Sequence, residues 1–218
     1  VGNGPFRMTG YRPGYTITGE KNPDYWNAAN VGLERIELRM IESESTELVA
    51  FENGELDATN VVPRPALDEL RGRPSLQMTT QYAVYYLNIN MGREIFQDAR
   101  VRRALALAVD RRGIVENVMR AGEAPAMQFV PPTLWEEPPG PYFQDGAFEE
   151  ARELLAEAGY PGGEGFPRLR YIYNTLEAHR QIAQVVQETW RLELGIEMTL
   201  ENQEFKVLIE NRRQGNYD

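Results

Sequence analysis

The clearest alternation of strand and helix patterns runs over residues 169–212, which read LRYIYNTLEAHRQIAQVVQETWRLELGIEMTLENQEFKVLIENR. Short runs of aromatic and branched side chains predict strands, and apolar side chains at a helical period predict helices between them. Alternating strands and helices of this size predict crossover connections on one sheet, and therefore an α/β fold. The predicted elements are a strand at 169–173, a helix from Leu176 to Leu194 that Gly195 ends, a strand at 196–200, a helix from Phe205 to Arg212 and a strand that begins at Tyr217.

Helical patterns also fill most of the stretch from residue 98 to residue 160. After Asp98 the apolar period changes from two to about 3.6, and Asp98 is suited to cap the helix that this period predicts. Asp110 is suited to cap a second helix that ends at Gly122, and Asp145 a third that ends at Gly159. Between the second and third helices, the prolines at 125, 131, 132, 138, 139 and 141 predict an extended loop, because proline disfavours helix interiors and central strands.

The first ninety residues are richer in strand and turn signals. They predict a strand, a turn and a second strand within the first thirty residues, and a strand within residues 31–41. Further elements predicted here are a helix capped by Ser45 or Thr46 that runs through Phe51, a short strand at 56–58, a short helix that Pro65 opens, and a strong strand at 82–90. The change from strand-rich to helix-rich character predicts a domain boundary near residues 80–92.

Composition narrows the possible functions. The chain has 218 residues, of which 23 are Lys or Arg and 33 are Asp or Glu, so its net charge is −10. An acidic surface without a basic stripe disfavours nucleic-acid binding. The sequence contains no cysteine and one histidine, which excludes thiolate and multi-histidine metal sites within it and disfavours most hydrolase arrangements. We therefore expect no cofactor and no metal.

Several residues whose side chains could serve in catalysis or ligand binding have simpler structural explanations. Adjacent carboxylate pairs such as Glu149 and Glu150 are expected on the solvated surface, although two separated acids facing one cleft, as a hydrolase would need, stay possible. On its position alone, His179 is expected to be an exposed polar side chain at a helix start, where a cation is disfavoured. Arg212 near a helix end is explained by the helix dipole. The residues alone thus leave a binding domain, a catalytic domain and a structural module open.

The order of several segments resembles the large solute-binding proteins of oligopeptide and dipeptide ABC importers. The segments that carry this resemblance are VGNGPFR at 1–7, EKNPDYW at 20–26, NGELD at 53–57, DARVRRALALAVDR at 98–111, ARELLAEAGY at 151–160 and LENQEF at 200–205. The resemblance implies a type II periplasmic-binding-protein-like, bilobed α/β fold that is incomplete at both ends of this chain. It also implies that residues 1–82 belong to a first lobe and residues 83–218 to most of a second. A fragment of this kind is expected to bind ligand weakly or not at all.

The resemblance also implies a function and a set of ligand-lining residues. The implied function is a monomeric, non-enzymatic protein of the bacterial periplasm or cell surface that captures peptides in a cleft between its lobes and delivers them to ABC permease subunits. A non-peptide solute, such as a metal chelate, an oligosaccharide or an opine-like compound, is the main alternative, and a carboxylate-dependent hydrolase is a remote one. The implied ligand-binding residues are His179, Phe205 and Arg212, with Tyr85, Asn60 and Val61 on the hinge side. Phe205 is smaller than the aromatic residue of similar proteins, and Val61 has no polar side chain to offer.

Overall fold

A computed structural model describes residues 2–137 and 140–218 of the chain. The chain divides into two compact units, Val1–Asp68 and Glu69–Asp218. Val1, which opens the first family segment, and Pro138 and Pro139, which belong to the predicted loop, lie outside the described residues. The lobe boundary at 82/83 concerns the whole bilobed protein and stays a prediction.

The first unit is built on a three-stranded antiparallel sheet. Its strands are β1 (Phe6–Arg12), β2 (Thr16–Lys21) and β3 (Arg35–Arg39), in the order β1-β2-β3. β1 and β2 are joined by a tight turn in which Gly14 has a φ of 74°, a conformation that glycine adopts without strain. The predicted strand, turn and strand are confirmed, as is the strand within residues 31–41.

The helices of the first unit are short. Helix α1 (Glu44–Glu52) begins two or three residues earlier than predicted, because the cap is the Ser43 hydroxyl, which accepts the backbone N–H of Thr46 at 3.2 Å, and not Ser45 or Thr46. The short helix opened by Pro65 is confirmed as a 3₁₀ turn, Arg64–Ala66, that continues into α2 (Leu67–Leu70). The strand predicted at 56–58 was wrong, since those residues are not paired in any described sheet. Another 3₁₀ turn spans Ala28–Asn30.

Two capped helices open the helical part of the second unit. Asp98 accepts the backbone N–H of Arg100 at 2.8 Å and caps α3 (Ala99–Leu107), as predicted. Asp110 likewise caps α4 (Arg111–Gly113) through the N–H of Gly113 at 2.8 Å. The chain then widens into a π-helical turn, Ile114–Met119, which ends at Arg120 with a φ of 55°, two residues before the predicted Gly122. Within the described part of the loop at 123–145, the single regular turn is 3₁₀, at Pro132–Leu134.

Asp145 does not cap the third helix, so that prediction was wrong. Helix α5 (Phe148–Glu157) has Ala147 at the cap position, and no side chain caps it. The Asp145 carboxylate instead accepts the backbone N–H groups of Arg111 and Arg112 at 3.2 and 2.9 Å, so it binds the first turn of α4. The guanidinium of Arg111 lies 3.4 Å from the same carboxylate and 4.5 Å from the centre of the Phe143 ring. A residue suited to capping thus caps a helix that is distant in sequence, and ties the proline-rich loop to it.

The βαβα pattern at the end of the chain is confirmed. Strands β4 (Leu169–Asn174) and β5 (Met198–Gln203) pair in parallel, with Leu169 opposite Met198 and Asn174 opposite Gln203. Helix α6 (Glu177–Leu194) connects them, and α7 (Phe205–Gln214) follows β5 and packs against β4. The apolar sides of α3, α5 and α6 and of the two strands meet in one core, whose buried members include Phe96, Val101, Leu105, Leu155, Leu169, Val186, Trp190, Leu194, Ile196 and Met198.

The strand predicted at 82–90 was wrong, because no regular strand forms there. The end of this segment is nevertheless fixed. The backbone N–H of Asn90 donates to the carbonyl of Asp218 at 2.7 Å, and its side-chain amide donates to the carbonyls of Gly215 and Tyr217 at 3.0 and 2.9 Å. Asp218 in turn accepts the N–H of Arg170 on β4 at 2.7 Å. Tyr217 does not open a regular strand either, but its neighbour Asp218 links the 82–90 segment to β4.

Gly195 ends α6 at a point of close backbone contact. Its φ of 68° is left-handed, and a Cβ atom there would overlap the carbonyl oxygen of Gly162. We expect Gly195→Ala to lower the free energy of unfolding by about 1–2 kcal/mol for the backbone conformation and by about 1–3 kcal/mol more for the overlap. Gly159→Ala is the matched control, because Gly159 has a φ of 99° but open space around it. Urea unfolding measures both variants, and equal losses would contradict the role assigned to the contact.

Asp145 joins two segments that are far apart in sequence. We expect Asp145→Ala to lower the free energy of unfolding by about 2–3 kcal/mol, because it leaves the Arg111 guanidinium without its carboxylate and two backbone N–H groups without their acceptor. Glu188→Ala is the control, since it removes an exposed ion pair with Arg191 that water screens. Thermal or urea unfolding measures both variants. If Asp145→Ala and Glu188→Ala lowered the free energy of unfolding equally, Asp145 would not have the structural role given to it.

Candidate functional site

The sheet of the second unit brings two of the predicted ligand residues to one edge. β4 and β5 are parallel and end together, at Asn174 and Gln203. His179 lies in the first turn of α6, just after β4, and Phe205 is the first residue of α7, just after β5. The carboxyl ends of neighbouring parallel strands are the usual place for ligand sites in α/β proteins. His179 and Phe205 therefore lie at the edge where such a site is expected.

His179 is held by two contacts. Its Nδ1 lies 2.5 Å from Oδ1 of Asn174, the last residue of β4. Its ring lies 4.8 Å from that of Tyr85, centre to centre, at an angle of 39°. The side chain is half-buried, and this burial lowers the pKa of His179 below its usual value of about 6.5. The neutral imidazole is therefore favoured at pH 7, as the position at the helix start predicts, but the side chain is half-buried and not exposed as expected.

Tyr85 joins the segment at 82–90 to this site. Its ring is half exposed, but its hydroxyl is directed towards Tyr171 on β4, and burial raises the pKa of Tyr85. Burial and the neighbouring Tyr85 also raise the pKa of Tyr171. The Tyr171 hydroxyl is buried without a hydrogen-bond partner of regular geometry among the described residues. The two phenols thus stay protonated, and Tyr85 links Tyr171 on β4 to the ring of His179.

Helix α7 carries the other two predicted residues of this unit. Glu204 caps it by accepting the N–H of Lys206 at 3.0 Å. Phe205 is 59% exposed, and Arg212 is exposed too. Seven residues separate them, which is close to two helical turns, so they share one side of α7 and lie about 10 Å apart along its axis. Arg212 has no ion pair within the described parts of the chain, so its guanidinium is available to an anion.

Asn60 and Val61 belong to the first unit. The N–H of Asn60 donates to Oε1 of Glu47 at 3.4 Å, and the carbonyl of Val61 accepts the hydroxyl of Thr59 at 2.9 Å. The Asn60 side chain is exposed and that of Val61 is partly buried. Their role as ligand residues stays a prediction.

Sequence reasoning missed two residues of the site. Asn174 lies directly after the strand predicted at 169–173 and five residues before His179, and this position is the signal that the sequence offers for it. Tyr171 could not have been selected from pattern, because an aromatic residue in a strand is more often part of the core.

The adjacent carboxylates Glu149 and Glu150 form ion pairs at the surface, as expected. Glu149 bonds Arg152 at 2.7 Å and Glu150 bonds Arg103 at 2.8 Å, and both carboxylates are well exposed. Over residues 2–137 and 140–218, no three acidic or histidine side chains are grouped as a metal site would require. In the same residues, no helix combines the length and apolar character that a membrane crossing needs.

Comparison with known proteins gives the chain its family. The family model described as bacterial extracellular solute-binding proteins, family 5 Middle, matches residues 1–218. The oligopeptide-binding protein OppA of Bacillus subtilis (strain 168) is 36% identical over 227 residues, a match that covers 100% of this chain and 42% of the relative. The chain therefore spans less than half the length of that relative.

Solved structures agree in fold. The murein tripeptide binding protein MppA of Escherichia coli matches with a TM-score of 0.90 at 30% identity, over 99% of this chain and 44% of that one. Haemophilus influenzae OppA, solved in complex with RPPGFSPFR, matches with a TM-score of 0.87 at 29% identity and the same coverage. The predicted type II periplasmic-binding-protein-like α/β fold is thus confirmed, for part of the length of these proteins. The chain belongs to the bacterial extracellular solute-binding proteins of family 5.

Proposed function

We propose that the protein captures peptides and delivers them to the permease of an ABC importer, outside the cytoplasmic membrane of a bacterium and without altering them. The observation that carries this proposal is the match of the family model over residues 1–218, together with the fold shared with Haemophilus influenzae OppA in complex with RPPGFSPFR. The relatives are binding proteins, which supports a non-enzymatic role. A monomer that closes two lobes on its ligand is part of the proposal.

A peptide binder of low sequence selectivity should bind the main chain and leave side chains in roomy, hydrated pockets. The second unit supplies polar and aromatic side chains for such contacts. Arg212 is suited to a ligand carboxylate, and Phe205 and Tyr85 offer partly exposed aromatic surface. Asn60 and Val61 are the proposed contacts from the first unit.

The charge of Arg212 should matter most where closure removes water. A charge-assisted hydrogen bond contributes about 1.5–3 kcal/mol when it is desolvated. Closure of the lobes supplies that desolvation, and ligand shifts the population towards the closed form only through contacts that the open form lacks. The affinity of a peptide should therefore depend on its terminal carboxylate.

Isothermal titration calorimetry of the intact protein, including any residues that flank this chain, tests the proposal. We expect mixed di- to pentapeptides to bind, and Arg212→Gln to weaken binding by about tenfold to a hundredfold because the ligand carboxylate loses its cation. Arg213→Gln is the matched control, since Arg213 is also exposed and follows Arg212 on a different side of α7. It should leave the affinity unchanged.

Two other outcomes would overturn the proposal. Binding of an opine-like compound, an oligosaccharide or a metal chelate, with no heat from any peptide, would assign another solute to the same fold. Release of peptide fragments, lost on changing a single Asp or Glu, would identify an enzyme instead.

A further inference from the structure

Backbone hydrogen bonds fix the position of Asn174. It is the last residue of β4 and lies opposite Gln203 in the parallel pair. Directly after it, the N–H of Thr175 donates to the carbonyl of Gln203 at 3.1 Å, and the N–H of Leu176 donates to the carbonyl of Asn174 at 2.8 Å. The side chain of Asn174 therefore projects from a backbone that is hydrogen-bonded on both sides, next to the first turn of α6.

The hydrogen bond between Asn174 and His179 specifies where the imidazole proton lies. An amide oxygen can only accept, so Oδ1 of Asn174 requires that Nδ1 of His179 carry the proton. A neutral imidazole has one proton, so Nε2 keeps its lone pair. Nε2 has no hydrogen-bond partner among the residues that the structure describes. Nδ1 of the ring thus donates to Asn174, and Nε2 is left as an acceptor.

The groups around the ring favour the neutral form. Tyr85 packs against it from the 82–90 segment, and β4 carries two further phenols, Tyr171 and Tyr173, whose rings contact each other. On α6 itself, Glu177 is bonded to Arg180 at 2.6 and 3.1 Å, so its charge is already paired. The positive end of the α6 dipole also disfavours an imidazolium in the first turn.

We propose that Asn174 is a positioning residue that holds His179 as the Nδ1–H tautomer and so makes Nε2 an acceptor for a ligand N–H. The ligand group it suits is a peptide amide or a terminal ammonium, which binds without proton uptake. A carboxylate would bind there only together with a proton. The ligand part of this inference rests on the proposed function, whereas the tautomer does not.

Nitrogen-15 NMR of histidine-labelled intact protein tests the tautomer without any ligand. The His179 signals are assigned from their loss in His179→Gln. In the wild-type protein at pH 7.5 we expect the shift of a protonated nitrogen at Nδ1 and that of an unprotonated nitrogen at Nε2. Asn174→Ala should shift the population towards Nε2–H, because the acceptor is gone, and Asn174→Asp should restore Nδ1–H and raise the pKa of His179.

Asn202→Ala is the matched control for these spectra. Asn202 lies near the end of β5 and accepts the hydroxyl of Thr175 at 2.7 Å, but it does not contact the imidazole. It should leave the tautomer unchanged, and circular dichroism checks that each variant is folded. A wild-type Nε2–H tautomer, or an unchanged tautomer in Asn174→Ala, would overturn the inference.

Peptide titrations separate this inference from the proposed function. If peptides bind, Asn174→Ala should weaken binding by about tenfold, as expected for the loss of one well-oriented hydrogen bond. Wild-type binding in buffers of different ionisation heat should show no proton uptake at His179. If the NMR result is as expected but no peptide binds, the proposed function fails alone. If peptides bind and Asn174→Ala changes neither affinity nor tautomer, the inference fails alone.

The neutral state of His179 also predicts a dependence of stability on pH. Because burial lowers the pKa in the folded protein, the unfolded chain takes up the proton first as the pH falls below about 6.5. The free energy of unfolding should then decrease until the folded protein is protonated as well. Urea unfolding of wild type and His179→Gln between about pH 7.5 and 5 measures the contribution of His179. The Asp and Glu residues are the same in both proteins, so their titration cancels in the difference between the two free energies of unfolding. Parallel curves for the two proteins would contradict a lowered pKa.

Discussion

Parallel pairing of β4 with β5 is the constraint on which the site depends. Parallel neighbours cannot be joined by a tight turn, so the chain must return along the sheet, and it does so through the eighteen residues of α6. That return buries Ile182, Val186, Trp190 and Leu194 against the core. It also requires a sharp end at Gly195, where the backbone lies against that of Gly162. Both helices that follow the strands therefore begin at one edge, and they bring His179 and Phe205 with them.

A second constraint joins the aromatic segment to this edge. Residues 82–90 form no strand, and an isolated extended segment gains little from its own backbone hydrogen bonds. Asn90 compensates with three hydrogen bonds to residues 215–218, and Asp218 adds an ion pair to Arg93 at 3.0 Å and a hydrogen bond to β4. Because the end of the segment is fixed, Tyr85 lies against His179 with its hydroxyl directed towards Tyr171. The position of the imidazole is thus determined from β4 on one side and from the 82–90 segment on the other.

The sequence predicted local structure well where the signal is local. The caps at Asp98 and Asp110, the period of α6 and the terminator Gly195 are properties of a few adjacent residues, and all four are confirmed. The errors are at positions where the partner is distant. The side chains at 82–90 suit a strand, but a strand needs a neighbour, and the hydrogen bonds of Asn90 go to the carbonyls of residues 215–218 instead. Asp145 has the right chemistry for a cap, yet the N–H groups it meets belong to α4. The contact of Tyr85 with His179 spans 94 positions in the sequence, and no periodicity could have indicated it.

Under the proposed function, the charges of the second unit suit a protein that binds chains of varied sequence. A buried ion pair would make affinity depend on a particular ligand charge, because an unpaired charge is expensive once water is removed. Here the buried part of the site is neutral: an imidazole without its second proton and two phenols whose pKa values are raised by burial. The exposed cation Arg212 lies about 10 Å further along α7 than Phe205, and it loses little when it has no partner because water solvates it. Under the proposed function, a neutral imidazole at the sheet edge and a solvated cation further along α7 suit groups that every peptide has, its main-chain N–H groups and its terminal carboxylate, better than any one side chain.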